Sequence, residues 1–154
     1  MSRKTDEPDH ISGILQMRWA EQYLKIPFLD RGRDAKGCDC WGLYRLIMRD
    51  QLGVELPEYP HEASDAKRLK TILRERDAGA WQRIDRGSEQ PFDCVLMRGQ
   101  FRHDNELISR PIHMGCVTTK GTLIHTEIGS GTTIVRYDHP AIKNRIEGFF
   151  RFKA

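Results

Sequence analysis

Three side chains of this sequence have types and contexts that could do chemistry together: Cys40, His113 and His125. A cysteine with an imidazole in reach forms a thiolate and imidazolium pair, and a polar group on the other ring nitrogen fixes tautomer and orientation. Such a set performs acyl transfer through sulfur, as in thiol hydrolysis. His10, His61, His103 and His139 lack any such context and receive no role.

Cys40 lies in Gly37-Cys38-Asp39-Cys40-Trp41-Gly42-Leu43. Asp39 reads as an N-cap, Leu43, Leu46 and Ile47 recur at helical spacing, and Gly53 is the stop, so a helix is predicted to end near Leu52. Cys40 then sits in the first turn, on the inward face, where backbone N–H groups and the positive end of the macrodipole favour a thiolate. A buried structural cysteine is the competing reading.

The histidines fall on a predicted hairpin, Ile112-His113-Met114-Gly115-Cys116-Val117 and Leu123-Ile124-His125-Thr126, joined by a turn containing Lys120-Gly121. A loop with an odd number of residues points His113 and His125 to one face, within imidazole reach; a strict two-residue turn puts them on opposite faces. Gly115, on the face of His113, leaves room for a neighbouring side chain, which is compatible with the cysteine helix docking there.

The elements that must position these residues run helices first, strands later. Ile11, Ile14, Leu15, Trp19 and Leu24 carry a helical stripe closed by Pro27. A charged loop from Asp30 to Lys36 leads into the cysteine helix, Leu56-Pro57-Glu58-Tyr59-Pro60 is an extended linker, and a charged helix is expected over Ala63 to Arg76. From Trp81 the period changes to two, with strands predicted at Trp81–Ile84, Asp93–Arg98, Ile112–Thr118, Thr122–Glu127, Thr132–Tyr137 and Gly148–Phe152. Gly99 to Arg110 reads as a polar excursion and Gly129-Ser130-Gly131 as a turn. The fold class is α+β, helices on an antiparallel sheet.

A chain of 154 residues supports one core, giving a single domain over 11–154 behind a flexible polar arm, 1–10. The formal charge of +3 is spread through the chain with acids interleaved, which excludes a nucleic-acid footprint. No apolar run reaches bilayer length, and the polar N-terminus lacks a signal-peptide core, so synthesis as a soluble cytoplasmic protein without membrane insertion is expected. Cys38 and Cys40 form C-x-C while Cys94 and Cys116 stand alone in strand-like runs, so no zinc knuckle is formed, and reduced, core-filling thiols are expected for the latter two. Zinc held by Cys38, Cys40 and a histidine is the residual alternative; neither a metal nor a cofactor is expected.

The residues resemble the NlpC/P60 superfamily of papain-like cysteine peptidases, especially its phage tail branch, similar to the peptidase part of lambda-type tail tip assembly proteins. The likeness runs from about Trp19 to Lys153. It rests on Ile26-Pro27-Phe28, Gly32-Arg33-Asp34, Gly37 to Leu43 as a D-C-x-G-L motif, Gly53-Val54-Glu55-Leu56-Pro57, and Pro91-Phe92-Asp93-Cys94-Val95-Leu96 as a P-G-D strand. His113-Met114-Gly115 stands as an H-V-G strand, Leu123-Ile124-His125 as the third catalytic position, and Arg145-Ile146-Glu147-Gly148-Phe149-Phe150-Arg151 as a phage-type ending.

That resemblance implies a papain-like fold with the nucleophile at a helix N-terminus, and a Cys40, His113, His125 triad cleaving amide bonds in peptidoglycan stem peptides, next to D-glutamate and a diamino acid. Cys40 would carry the thioester and lend its backbone N–H to the oxyanion hole, His113 would act as base and then acid, and His125 would orient His113. Phe28, Arg33, Asp34, Asp39 and Trp41 are the substrate-binding candidates, although the same residues serve equally as loop ion pairs or core. Phe28 stands where many members carry Tyr, Trp41 replaces a small residue and could narrow the cleft, and Phe92 replaces the glycine of P-G-D, expected to matter only to packing. The partners implied are bacterial peptidoglycan and other phage tail tip proteins; the chain would be made in the host cytoplasm, sit at the virion tail tip and act in the host periplasm or cell wall as the particle penetrates. The alternative function is a structural tail tip or assembly protein with a dormant peptidase fold, and a weaker third is an amidase or acyltransferase for lipids or small molecules, for which the surface offers no lipid-binding stretch.

Overall fold

Asp39 and Gly53 bracket the first long helix, α1 (Cys40–Leu52), as their types dictate. Asp39 is extended and accepts from the Gly42 N–H at 2.7 Å, while Gly53 adopts φ 66° and donates its N–H to the carbonyls of Arg49 and Met48. This is a computed structural model, and it describes residues 18–57 and 65–153, without the side chains of residues 65–70, 101 and 103. The expected arm over 1–10, the first part of the predicted N-terminal helix and the end of the proline linker lie outside the described residues; residues 18–21 are helical.

The loop before α1 is a small hairpin, β1 (Arg33–Asp34) and β2 (Gly37–Cys38), where an irregular charged loop was expected. A second helix, α2 (Asp65–Asp77), matches the charged segment to within two residues at its start. Then come β3 (Trp81–Ile84), β4 (Cys94–His103), β5 (Glu106–Val117), β6 (Thr122–Glu127), β7 (Gly131–Arg136) and β8 (Ile146–Phe152). They form one six-stranded sheet in the order β3-β8-β4-β5-β6-β7, with every neighbouring pair antiparallel. The architecture is α+β, as the switch of period from helical to alternating requires.

α1 lies against β5 and β6. Its buried face, from Cys40 through Leu43, Tyr44 and Ile47, joins Cys94, Leu96, Met114, Cys116 and Ile124 of the sheet in one apolar cluster. Val95, Met97, Val117, Leu123 and Phe149 form a second cluster. Alternate residues of β4, β5 and β6 therefore pack on opposite faces, which fixes the register of all three strands.

The polar excursion expected over Gly99 to Arg110 is instead a continuation of β4 and β5, paired out to His103 and Glu106. Asp104 and Asn105, at φ 51° and 66°, close it as a two-residue turn. Asp and Asn tolerate the left-handed region, and the two polar strands satisfy each other's backbone without burying a side-chain face.

Phe92 also departs from expectation. It adopts φ 76°, a glycine-like conformation, so its replacement of glycine bears on the backbone as well as on packing. A non-glycine residue there costs about 1–2 kcal/mol. Stacking on Trp19, with ring centroids 4.6 Å apart, and the Tyr44 hydroxyl donating to its carbonyl at 2.6 Å hold it in place. Its neighbour Asp93, 3% exposed, takes a two-pronged ion pair from Arg151 at 2.8 Å on each oxygen and accepts from the Gln90 N–H, tying the start of β4 to β8.

Among the described residues no helix is long and apolar enough to cross a membrane.

Candidate active site

Cys40 is the first residue of α1, 9% exposed, with no acidic residue in the first helical turn to oppose a thiolate. The hairpin before it builds the cap. Arg33 donates to Asp39 Oδ1 at 2.5 Å and to the Gly32 carbonyl at 3.0 Å, so Asp39 is held by a guanidinium on one side and the Gly42 N–H on the other. Gly42 has to be glycine, because a Cβ there would strike the Gly32 carbonyl.

Cys38 faces different chemistry two residues earlier. Its thiol is fully buried and donates to the Asp34 carbonyl at 3.0 Å, and burial, with Asp39 and Asp34 nearby, pushes its pKa up to about 11. Cys94 and Cys116 pair across β4 and β5, and burial raises both thiols further from ionisation. Those two are core residues.

The β5–β6 hairpin pairs Cys116 with Ile124 and Val117 with Leu123 around residues 118–122, an odd loop. His113 and His125 consequently share a face, with His113 Nε2 2.8 Å from His125 Nδ1 and the rings edge to face. The pair uses His113 Nε2, so a thiol would meet this ring at Nδ1. Room beside Gly115 serves β6 rather than the cysteine helix: an added Cβ would lie 3.0 Å from the Ile124 carbonyl oxygen and 3.3 Å from His125 Cβ.

Glu127 completes the cluster and was not singled out from the sequence. Its carboxylate lies 3.6 Å from His113 Nε2 and accepts from the Arg145 guanidinium, which also donates to the Arg98 carbonyl at 2.8 Å. Burial pulls the Glu127 carboxyl up, but the Arg145 hydrogen bond and the charges of His113, His125 and Arg145 outweigh it and leave the group below its ordinary pKa. Burial pushes His125 down, Glu127 opposes this and Arg145 adds to it, so the ring is neutral near neutral pH. The signal was available: Glu127 follows His125 by two positions, and in an odd-loop register it falls opposite His113.

Of the substrate-binding candidates, Asp39 and Arg33 bind each other, and Asp34 accepts the Lys36 N–H at 2.9 Å. Trp41 packs among Tyr44 and Trp81, its ring centroid 6.1 Å from each. Phe28 bridges to Cys38 and lines a cleft of about 420 Å³ formed by residues 24–28 and 128–132. Thr132 ties its two walls by donating to the Ile26 carbonyl at 2.7 Å. One wall is tied to the hairpin before α1 by the Phe28 bridge to Cys38, the other follows Glu127 in sequence, and neither Cys40 nor the two histidines line the cleft.

This arrangement, a cysteine heading a helix packed on a strand pair that carries two bonded histidines, coincides with a match of residues 25–151 to the NlpC/P60 family. The chain belongs to the NlpC/P60 family. Solved structures with the same fold include an NLP/P60 family protein from Staphylococcus aureus described as similar to lipoprotein (17% identity, TM-score 0.59, 92% of this chain and 41% of that one). The NlpC/p60 domain of the peptidoglycan hydrolase SagA matches at 15% identity and TM-score 0.54, over 92% of this chain and 98% of that domain. An NlpC/P60 family protein from Bacillus cereus matches at 17% identity and TM-score 0.58, over 91% of this chain and 40% of that one. The chain thus spans about two fifths of the Staphylococcus and Bacillus proteins and nearly all of the SagA domain. None of the curated proteins matches it.

Proposed function

We propose that this NlpC/P60 protein is a cysteine peptidase that hydrolyses amide bonds in peptidoglycan stem peptides, with Cys40 as nucleophile and His113 and His125 completing the triad. The observation that carries the reading is the 2.8 Å contact between His113 Nε2 and His125 Nδ1, on strands packed against the helix that Cys40 heads. It assigns the two nitrogens of His113 different tasks, one anchored and one for the proton.

In this mechanism His113 Nδ1 takes the Cys40 thiol proton, and the thiolate attacks the scissile carbonyl. Negative charge on the tetrahedral oxygen is met by the Cys40 backbone N–H and the positive end of α1. His113 returns the proton to the departing amine, the C–N bond breaks and a thioester remains on Cys40. Water, deprotonated by His113, then cleaves the thioester and restores the thiol. His125 holds His113 in one tautomer throughout, and Glu127 and Arg145 steady the far side of the pair.

We assign the cleft beside residues 24–28 and 128–132 to the peptide substrate, and the scissile bond to the one between D-glutamate and a diamino acid. The setting we propose is a phage tail tip, with the chain made in the host cytoplasm and acting on the cell wall as the particle penetrates. What speaks for that setting is the resemblance of Arg145 to Arg151 to a phage-type ending. Purified protein and a Cys40→Ala control, each incubated with Gram-negative peptidoglycan, test the function by mass spectrometry of released fragments. Cys40-dependent cleavage within the stem peptide is expected. Intact peptidoglycan after exposure to folded wild-type protein would replace the reading with that of a structural tail protein on a dormant peptidase fold.

A further inference from the structure

His113, His125 and Glu127 each present a ligand atom, and the three atoms lie within 4.8 Å of one another. We propose that His113 Nε2, His125 Nδ1 and a Glu127 carboxylate oxygen form a binding site for a divalent transition metal such as Zn²⁺, which closes the histidine pair against proton transfer.

The donor set fits, and its spacing lies within about half an ångström of what an ion needs. Two imidazoles and one carboxylate are a recurrent zinc set, with metal distances of about 2.0–2.2 Å, so tetrahedral ligand atoms stand about 3.3 Å apart. Here the two nitrogens are 2.8 Å apart and the Glu127 oxygen is 3.6 Å from His113 Nε2. The ring centroids are 5.1 Å apart, so the two rings point at each other along the line between the nitrogens, and an ion replacing the shared proton asks the nitrogens to part by about half an ångström and each ring to turn by roughly 35° toward Glu127. The histidines are 9% and 3% exposed, so packing resists that turn and lowers affinity, while the Glu127 side chain, at 30%, leaves a path for the ion and is free to follow it.

Arg145 is the cation that opposes occupancy, since it already binds Glu127. A carboxylate offers about four lone-pair sites, enough to serve a guanidinium and an ion together. Arg145 therefore lowers affinity without blocking the site. None of the four cysteines is needed, which separates this site from a thiolate zinc site.

Metal on His113 Nε2 leaves the ring proton fixed on Nδ1, the atom that has to accept the Cys40 proton and later release it. Bound Zn²⁺ is then a reversible inhibitor. Inhibition rests on the peptidase reading; binding does not.

The test is equilibrium binding of Zn²⁺ to the full, metal-stripped chain by calorimetry and metal analysis after dialysis. One ion per chain is expected, with affinity kept within about threefold in Cys40→Ala. Because loss of even an outer-shell partner costs about 10–100-fold, His125→Ala is expected to weaken binding by at least about 100-fold and Glu127→Gln by at least about tenfold. Unchanged affinity in both variants, or its loss in Cys40→Ala, overturns the site whatever the fate of the peptidase assay. Should His125→Ala misfold, the wild-type protein loaded with Co²⁺ decides. Visible d–d bands without a thiolate charge-transfer band support the site, and a thiolate band or no bands overturns it.

Discussion

His113 and His125 face each other from β5 and β6 with Nε2 and Nδ1 2.8 Å apart. The contact divides labour within the pair, since an anchored ring presents its other nitrogen in a fixed direction. His113→Ala is expected to lower kcat by about 10³-fold, within the range for loss of a general base. His125→Ala is expected to cost about 10²-fold in kcat with KM nearly unchanged, because His125 acts through His113. His125→Asn, which keeps an acceptor, should recover part of that loss. Fragment release from peptidoglycan measures all three; wild-type kcat in a folded His125→Ala protein would remove His125 from the proposed triad.

Alkylation at neutral pH distinguishes the two members of the C-x-C. Cys38 donates its proton to the Asp34 carbonyl and is pushed up to about 11, whereas Cys40 heads α1 at the positive end of the helix. Iodoacetamide followed by peptide mapping should modify Cys40 first and leave Cys38, Cys94 and Cys116 intact while the protein stays folded. Faster labelling of Cys38 would contradict the assignment of the nucleophile.

Features carried by short-range signals were legible. Asp39 and Gly53 announced α1 within a residue at each end, and the strands at Trp81–Ile84 and Thr122–Glu127 lie where alternation put them. Of the candidate site, the place of Cys40 at the head of α1 was legible, and the common face of His113 and His125 followed once the loop proved odd. What stayed hidden were charge pairs closed by folding: Arg145 reaches Glu127 across 18 residues and Arg151 reaches Asp93 across 58. A lone Glu or Arg in sequence looks like a solvated surface residue, and only the sheet order brings such partners together. Phe92 was hidden for another reason, since nothing in a phenylalanine announces a left-handed backbone.

Phe92 offers a test that separates backbone strain from packing. Phe92→Gly loses the Trp19 stack but relieves the φ of 76°; Phe92→Ala loses the stack and keeps the strain. The alanine variant should therefore be the less stable by about 1 kcal/mol, the usual advantage of glycine in that region. Urea unfolding of the two variants measures the difference directly. Equal midpoints, or a more stable alanine variant, would mean that the segment relaxes out of the left-handed conformation.

Alkaline pH should destabilise the fold from about pH 9 upward. Burial raises Tyr23 from 10.0 to about 12 and Cys38 from 9.0 to about 11, and raises Tyr44, Tyr137, Cys94 and Cys116 in the same direction. Above pH 9 the unfolded chain begins to release these protons while the folded chain keeps them. The unfolded state then binds fewer protons, and unfolding free energy falls as pH rises. The stabilisation is complete below the unfolded values and is lost as pH climbs through the folded ones. Tyr23→Phe removes one contributor, together with the hydroxyl's hydrogen bond to Asp50 at 3.0 Å. It should lower stability at neutral pH by about 1 kcal/mol and flatten the decline of Tm between about pH 9 and 11. A Tyr23→Phe protein whose Tm falls as steeply as wild type would show that Tyr23 ionises as readily folded as unfolded.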